Sequence, residues 1–324
     1  ESSGNGSYAI SDVLAFLGVR CPPSSEVWKG RHGELPLHQK LVKPIRVNEV
    51  SKLTSVSAKV KEGWEHSKRW LFDAILYRLV KHEGPLPRPR LEDGDLEKML
   101  EAGVMEKFAG KPEGSIKIFT VPELHKNRRR PIKWPELINE VCGRETLQPM
   151  TVISRAEVRN QVKAGDYAIV VDMKQWFDQL PLDPSIRKYF CFDGGKHGVC
   201  ALTRLAMGQR QATEVATAVT ARLLDFAHDG VTVAYAADNM RFLGSRQAVI
   251  AAFRTFLRRC RQVGVQLNEL DEKDYNNTAK VEALVTQEYD FLGETYSHQG
   301  EEPAMRSTAK TCAKLATTWA ERDS

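Results

Sequence analysis

The clearest pattern of apolar and polar positions is a strand-like run that ends in a carboxylate. Three apolar residues at 169–171 lead directly into Asp172, and the aromatic Phe177 follows five residues later. Such a run predicts a buried strand that holds one acidic group at its end, with a ring beside it. The same run is typical of a core strand whose Asp only caps the next turn, so the rest of the chain must decide.

A second polar position interrupts the apolar residues between 231 and 244. Asp238 and Asn239 stand between two apolar runs, which predicts a tight β-hairpin with Asp238 at its tip. A regular apolar stripe then predicts a helix over 246–263, which Gly264 ends. We expect the basic residues on the outer face of this helix to be solvated. They are Arg254, Arg258, Arg259 and Arg261.

Weaker patterns predict the remaining elements. Between residues 61 and 83 the apolar positions recur at helical spacing. The expected buried face consists of Phe72, Ile75, Leu76 and Leu79. The segment 84–89 is rich in Pro and is a candidate subdomain boundary. The other predicted elements are a helix from Asp95 to Ala102, a strand at 115–121, a hairpin at 189–203, a helix after Gly208, strands at 265–268 and 289–293, and a helical tail at 302–324.

Composition narrows the class of protein. A chain of 324 residues with 42% hydrophobic residues can bury a large core and is typical of two or three subdomains. The formal charge of +5 is compatible with a polyanionic partner. The six cysteines are scattered, and the sequence has no apolar run of transmembrane length. We therefore expect an intracellular protein of the cytoplasm or nucleus, without a membrane partner and of undefined oligomeric state. Because the first residue is not Met, we also expect a fragment whose ends are not natural.

The strongest basic cluster follows the predicted strand at 115–121. It consists of Lys126, Arg128, Arg129, Arg130 and Lys133. Guanidinium and ammonium groups beside a strand suit phosphate, because the Arg fork matches phosphate oxygens in a bidentate way. A solvated hairpin tip is the commoner reason for such a run, and from the run alone we favour that interpretation.

The two acids gain meaning when their elements are combined. Asp172 and Asp238 belong to a strand, helix, hairpin, helix, strand order, which fits a split βαβ layout with helices on one face of an antiparallel sheet. This predicts the α+β class and lets acids from neighbouring strands face each other. Two such carboxylates can hold a pair of Mg²⁺ ions about 3.5–4 Å apart, the arrangement of two-metal phosphoryl transfer.

A series of motifs occurs in a fixed order over roughly residues 90–300. The segments are 95–103, Lys126 with 130–132, 172–177, 205–209, 235–239, 264–268 with Lys273, and 291–293. This ordered series resembles the reverse transcriptases, and the wording of 172–178 with Asp238-Asn239 is most similar to retrotransposons of the DIRS, Ngaro and VIPER type. The resemblance implies a right-hand polymerase fold with a ferredoxin-like palm. The implied divisions are an N-terminal, partly helical extension at 1–85, fingers at 86–165, a palm at 166–300 with a fingers segment at about 183–204, and the start of a thumb or a C-terminal helix at 301–324.

The resemblance also implies the roles of individual residues. Asp172 and Asp238 would be catalytic and, with Met173 and Asn239, would bind two Mg²⁺ ions, for which Mn²⁺ could substitute. The implied substrate contacts are Lys126 and Arg130 on the triphosphate, Phe177 under the sugar, Gly208 and Gln209 beside the template base, and Lys273 as a proton donor to pyrophosphate. The implied partners are an RNA or DNA template with its primer, and deoxynucleotides.

One departure from the family pattern leaves two alignments of the third motif open. The family usually has Tyr-x-Asp-Asp, whereas this chain has Tyr235-Ala236-Ala237-Asp238-Asn239. If Tyr235 is the family's Tyr, Ala237 replaces the essential Asp. The chain is then a polymerase-like protein that still binds nucleic acid but is catalytically impaired, either by nature or by engineering. If the motif begins at Ala236, the essential Asp is present as Asp238. We favour the second alignment, because the apolar Met240 then follows the polar pair.

Overall fold

A computed structural model describes residues 35–142 and 153–313, in which short helices alternate with antiparallel strands. The helices are α1 (Val47–Lys52), α2 (Ala58–Ser67), α3 (Asp95–Glu101), α4 (Glu136–Val141), α5 (Arg155–Asn160), α6 (Ala212–Leu223), α7 (Arg246–Val263) and α8 (Thr278–Glu282). The strands are β1 (Met105–Lys107), β2 (Lys117–Glu123), β3 (Arg128–Trp134), β4 (Tyr167–Asp172), β5 (Cys191–Asp193), β6 (Val199–Leu202), β7 (Val231–Ala236), β8 (Asn239–Gly244), β9 (Glu288–Phe291), β10 (Glu294–Ser297) and β11 (Ala304–Ser307). This mixture of helix and sheet agrees with the predicted class.

The central sheet has the strand order β4-β8-β7 and is antiparallel throughout. Its residues alternate between two cores, as strand geometry requires. Ile169 and Val171 face a large core, whereas Ala168 belongs to a smaller one on the other side of the sheet. The predicted hairpin is confirmed, because β7 and β8 pair up to Ala236 and Asn239 and leave two residues in the turn.

Helices α6 and α7 cover one face of this sheet, and β9, β10 and α5 contribute to the core on the other. Phe242 of β8 packs against Phe253 and Phe256 of α7, with ring centroids 5.6 and 5.5 Å apart. Both ends of α7 agree with the prediction, and Gly264 ends it in the left-handed region at φ 86°. The prediction that Arg259 is solvated is wrong. Arg259 is buried, because its long side chain reaches the free carbonyl groups at the C-terminal end of α6. Its guanidinium donates to these carbonyls.

The hairpin of β2 and β3 lies apart from the central sheet and carries the basic cluster. The favoured interpretation of a solvated tip is wrong for two of its cations. Arg129 is 3% exposed and forms a bidentate ion pair with the buried Asp95 at 2.6 and 2.9 Å. Lys133 is 5% exposed and donates to Asp178 at 2.5 Å. These two bonds tie the hairpin to α3 and to the segment that follows β4.

The prediction of one amphipathic helix over 61–83 is also wrong. Helix α2 ends at Ser67, and two short 3-10 turns follow at Lys68–Leu71 and Ala74–Tyr77. Phe72, Ile75 and Leu79 are 42%, 63% and 63% exposed, because bulkier side chains of the same segment fill the core. Those side chains are Trp64, Trp70 and Tyr77.

Other differences concern the C-terminal part. The predicted strand at 265–268 is a single bridge between Leu267 and Met173, and the predicted helical tail contains strand β11 before residues 309–313 turn helical. The rest of that tail lies outside the described residues, as do residues 1–34 of the expected N-terminal extension. The division into fingers, palm and thumb stays a prediction. Among the residues that the structure describes, no helix combines the length and apolarity needed to cross a bilayer.

The buried pair of Arg129 and Asp95 leads to a stability prediction. We expect Asp95→Asn to lower the free energy of unfolding by about 3 kcal/mol, because it leaves a buried guanidinium without its counter-charge. Urea denaturation followed by circular dichroism measures this. The control is Asp93→Asn, two residues away and exposed, for which we expect a change within about 0.5 kcal/mol. Equal losses in both variants would contradict the role of the pair.

Candidate active site

A cleft of about 410 Å³ lies between the β2–β3 hairpin and the turn end of the central sheet. Its lining consists of carboxylates, cations, neutral polar side chains and an apolar wall. The carboxylates are Asp172, Asp178 and Asp238; the cations are Lys40, Lys126, Arg128, Arg130 and Lys133; the neutral polar residues are His38, Gln175 and Asn268; and the apolar residues are Pro131, Met173, Trp176, Phe177, Leu205 and Met207. The cleft therefore offers acids and bases that face one another across a partly apolar space.

Backbone pairing fixes the two acids at one end of the sheet. Asp172 is the last residue of β4 and stands opposite Asn239 of β8 in the register. The Met173 N–H donates to the Asp238 carbonyl at 2.8 Å, which joins the end of β4 to the β7–β8 turn. Ala237 of that turn has a left-handed φ of 51°, and the Thr220 hydroxyl donates to its carbonyl at 2.5 Å. Asp238 lines the cleft with Asp172, whereas Ala237 is absent from the lining.

Burial and, to a smaller extent, like charge raise the pKa values of two acids in this region. Burial raises the pKa of Asp238, and the neighbouring Asp172 raises it further. Burial also raises the pKa of Glu269 to about 7, with the Asp172 charge as a further cause. Both carboxylate oxygens of Glu269 accept from the Asp172 N–H, at 3.0 and 3.2 Å. The Asn239 amide donates to the Asp172 carboxylate, so Asp172 is held by a neutral donor within an acidic setting.

The hairpin supplies the cations of the opposite wall. Arg128 and Arg130 share one carboxylate, that of Glu123, at 2.5 and 2.9 Å. Lys126 forms no ion pair with any residue in the described ranges, and burial together with Arg128 lowers its pKa. Two guanidinium groups on one carboxylate, with Lys126 beside them, leave this wall with a net positive charge.

Phe177 lines the cleft and also packs against the core. It lies in the 3-10 turn Trp176–Gln179, which follows Gln175 at a left-handed φ of 40°. Its ring lines the cleft and packs against the large core. The packing role of Phe177 is therefore present, and its contact with a substrate stays a prediction.

Four of the predicted site residues lie outside the cleft lining. Asn239 donates to the Asp172 carboxylate but lines a neighbouring cavity that also contains Asp172 and Glu269. A Cβ on Gly208 would stand 2.6 Å from the Lys133 carbonyl oxygen, so its backbone packs on β3 and not on open space. Gln209 is 2% exposed and donates to the Tyr77 hydroxyl at 3.2 Å. Lys273 is exposed in a short 3-10 turn and is not part of the cleft lining. Their expected roles stay predictions, because none of these residues lines the cleft.

Sequence reasoning missed several residues of the site. His38 and Lys40 come from a segment without periodicity, and their position depends on bonds to distant residues. Asp178 lies two positions beyond Trp176, but it belongs to no sequence pattern that would indicate a functional role. Glu269 lies beside Asp172 outside the cleft lining and directly follows the segment 264–268 that carries part of the resemblance, so its place in the sequence was a usable signal.

Comparisons with known proteins give a structural similarity. No family model and no curated protein matches the chain. Among solved structures it is similar to prototype foamy virus protease-reverse transcriptase, with 14% identity and a TM-score of 0.47 over 84% of this chain and 37% of that chain. It is also similar to foamy viral protease-reverse transcriptase in complex with dsDNA, with 14% identity and a TM-score of 0.48 over 86% of this chain and 59% of that chain. The chain thus spans 37% to 59% of the length of these two solved chains.

The close approach at Gly208 gives the second prediction. We expect Gly208→Ala to lower the free energy of unfolding by about 1–3 kcal/mol, because the new methyl group collides with the Lys133 carbonyl. The matched control is Gly63→Ala inside α2, where nothing lies within 4 Å of the added Cβ. We expect that change to raise stability by about 0.5–1 kcal/mol. Denaturant unfolding measures the free energy of unfolding of both variants. A gain in stability for both would contradict the close contact at Gly208.

The third prediction concerns His38. Burial and the adjacent Arg128 lower the pKa of His38 from 6.5 to about 4, so the folded protein holds this ring neutral. The unfolded chain takes up the proton near pH 6.5, and stability is therefore lost as the pH falls from 6.5 towards 4. We expect the stability difference between the parent and His38→Gln to change over this window and to be constant above it. Urea unfolding at several pH values measures it, and parallel curves for the two proteins would contradict the lowered pKa.

Proposed function

We propose that the chain is an RNA-directed DNA polymerase, a reverse transcriptase that extends a primer 3′-hydroxyl with deoxynucleotides. The observation that carries the proposal is the cleft, in which Asp172 and Asp238 face the cationic wall of the β2–β3 hairpin. Opposed acids and cations suit the reaction, because metal ions bind to the acids and phosphate oxygens bind to the cations. The motif wording supports a retrotransposon as the setting and an RNA or DNA template with primer as the partner.

The residues present fit Mg²⁺. In residues 35–142 and 153–313 no group of three or more His, Cys, Asp or Glu side chains is gathered for a metal. Mg²⁺ nevertheless binds through one or two carboxylates, with water and substrate phosphate completing its shell. Asp172 and Asp238 supply these carboxylates, and both are oxygen donors of the kind that hard cations take. The buried Oδ1 atom of Asn239 has no hydrogen-bond partner in the described part of the chain and is a further free oxygen beside Asp172.

The mechanism assigns separate tasks to the two walls. Bound Mg²⁺ would supply activation of the primer hydroxyl and neutralisation of the triphosphate. Asp172 and Asp238 would hold the ions, and Lys126 and Arg130 would bind and orient the triphosphate. The Phe177 ring would lie under the sugar and exclude a 2′-hydroxyl by collision, which favours deoxynucleotides.

A protein that binds nucleic acid without catalysis is the second candidate. Asn239 favours it, because an amide stands where the family pattern has a second carboxylate. In the alternative alignment, which begins at Tyr235, Asp238 takes the place of the second carboxylate and Ala237 replaces the essential acid. The turn geometry supports the other alignment, since the side chain of Asp238 lines the cleft and Ala237 does not.

Primer extension on an RNA template with Mg²⁺ tests the proposal and gives the fourth prediction. We expect Asp172→Asn and Asp238→Asn each to lower the rate by about 10³-fold or more, because each removes a charged metal ligand worth several kcal/mol. The control is Asp229→Asn, an exposed carboxylate before the far end of β7, which should extend at the parent rate. A chain that extends nothing until Ala237→Asp is introduced would show that the Tyr235 alignment is right and the parent protein inactive.

A further inference from the structure

An N-terminal strap, defined as residues 36–43, runs along the β2–β3 hairpin before it reaches the cleft. Leu37 forms a parallel bridge with Arg129 of β3. The His38 N–H donates to the Arg129 carbonyl at 2.7 Å, and the Arg129 N–H donates to the Pro36 carbonyl at 2.8 Å. The strap thus adds a third extended segment to the hairpin that carries the cationic wall.

The strap then crosses to the acidic side. The Lys40 N–H donates to the Gln175 amide oxygen at 2.8 Å, and the Gln175 amide donates back to the His38 carbonyl at 3.0 Å. The Gln39 amide donates to the Asp178 carboxylate at 3.3 Å. Because both walls of the cleft bond to the strap, its backbone is held in place, and His38 and Lys40 line the cleft.

No acid forms a direct ion pair with Lys40, although the more distant Glu269 attracts its charge. The other cations of the lining that form ion pairs do so with Glu123 or Asp178. Lys40 forms no ion pair with any residue that the structure describes, and its ammonium has the neutral Asn268 amide oxygen at 3.3 Å as a neighbour. An exposed ammonium that lines a small cleft and contacts no carboxylate directly can bind an anion.

We propose that Lys40 is a phosphate-binding residue that, with Lys126, contacts the triphosphate of the nucleotide in this cleft. The assignment rests on the proposed function, since a nucleotide triphosphate is the substrate of that reaction. The volume favours this source of phosphate over a nucleic-acid backbone, because about 410 Å³ is the size of a small-molecule site. A template or primer strand would instead follow an open groove.

The fifth prediction compares two lysines of the same strap. Lys40→Gln and Lys43→Gln each remove one charge from an exposed side chain, but Lys43 is not part of the cleft lining. With inorganic tripolyphosphate as the probe in isothermal titration calorimetry at low salt, we expect Lys40→Gln to weaken binding about tenfold, the loss of one charge-assisted hydrogen bond. Lys43→Gln should weaken it less than twofold, because screening reduces the effect of a distant charge. Lys126→Gln is the positive control.

Equal affinities of Lys40→Gln and Lys43→Gln for tripolyphosphate would overturn the assignment, and so would a parent chain that does not bind this anion. Fluorescence anisotropy with a primer–template duplex separates the two sources of phosphate. A loss of duplex binding in Lys40→Gln with unchanged tripolyphosphate binding would assign Lys40 to the nucleic-acid backbone and overturn the proposal.

In primer extension we expect Lys40→Gln to have a raised KM for the nucleotide with little change in kcat. Tripolyphosphate binding that depends on Lys40 in a chain that extends no primer would support this site while the polymerase function fails.

Discussion

The register between β4 and β8 is the constraint on which the candidate site depends. It places Asp172 opposite Asn239 and next to the turn that carries Asp238. A slip of one residue would move every side chain of β4 to the other face of the sheet. Both faces resist such a slip, because Val171 must remain in the large core and Ala168 in the small one. The positions of the acids are therefore set by apolar packing away from the cleft.

Buried ion pairs perform the corresponding task for the opposite wall. Pairs such as Lys133 with Asp178 add little net stability, because removing two charges from water costs about as much as their attraction returns. They do define position, since a buried charge without its partner is strongly unfavourable. Lys133 joins the hairpin to the segment after β4, and Asp178 also accepts from Gln39 of the strap. One carboxylate thus links three parts of the chain around the cleft.

Local pattern was enough to predict the acids but not the whole cleft. Asp172, Asp238 and helix α7 could be predicted, because each follows from alternation or helical spacing within a few residues. Lys40 could not, because the strap has no periodicity and its place depends on Gln175, more than a hundred residues away in sequence. Arg259 was misassigned for a related reason. A long side chain on a polar face can turn back to bury its guanidinium against free carbonyls, and spacing alone does not reveal those acceptors.

The geometry of the β7–β8 turn bears directly on the departure from the family's third motif. Ala237 holds a left-handed φ of 51°, a conformation that costs a non-glycine residue on the order of 1–2 kcal/mol. Two hydrogen bonds to the turn compensate for this cost, since the Thr220 hydroxyl donates to the Ala237 carbonyl and the Met173 N–H donates to the Asp238 carbonyl. With the turn fixed in this way, position 238 presents its carboxylate to the cleft. An amide at Asn239 then has a physical advantage, because another acid beside Asp172 would add to the repulsion that, after burial, raises the pKa of Asp238.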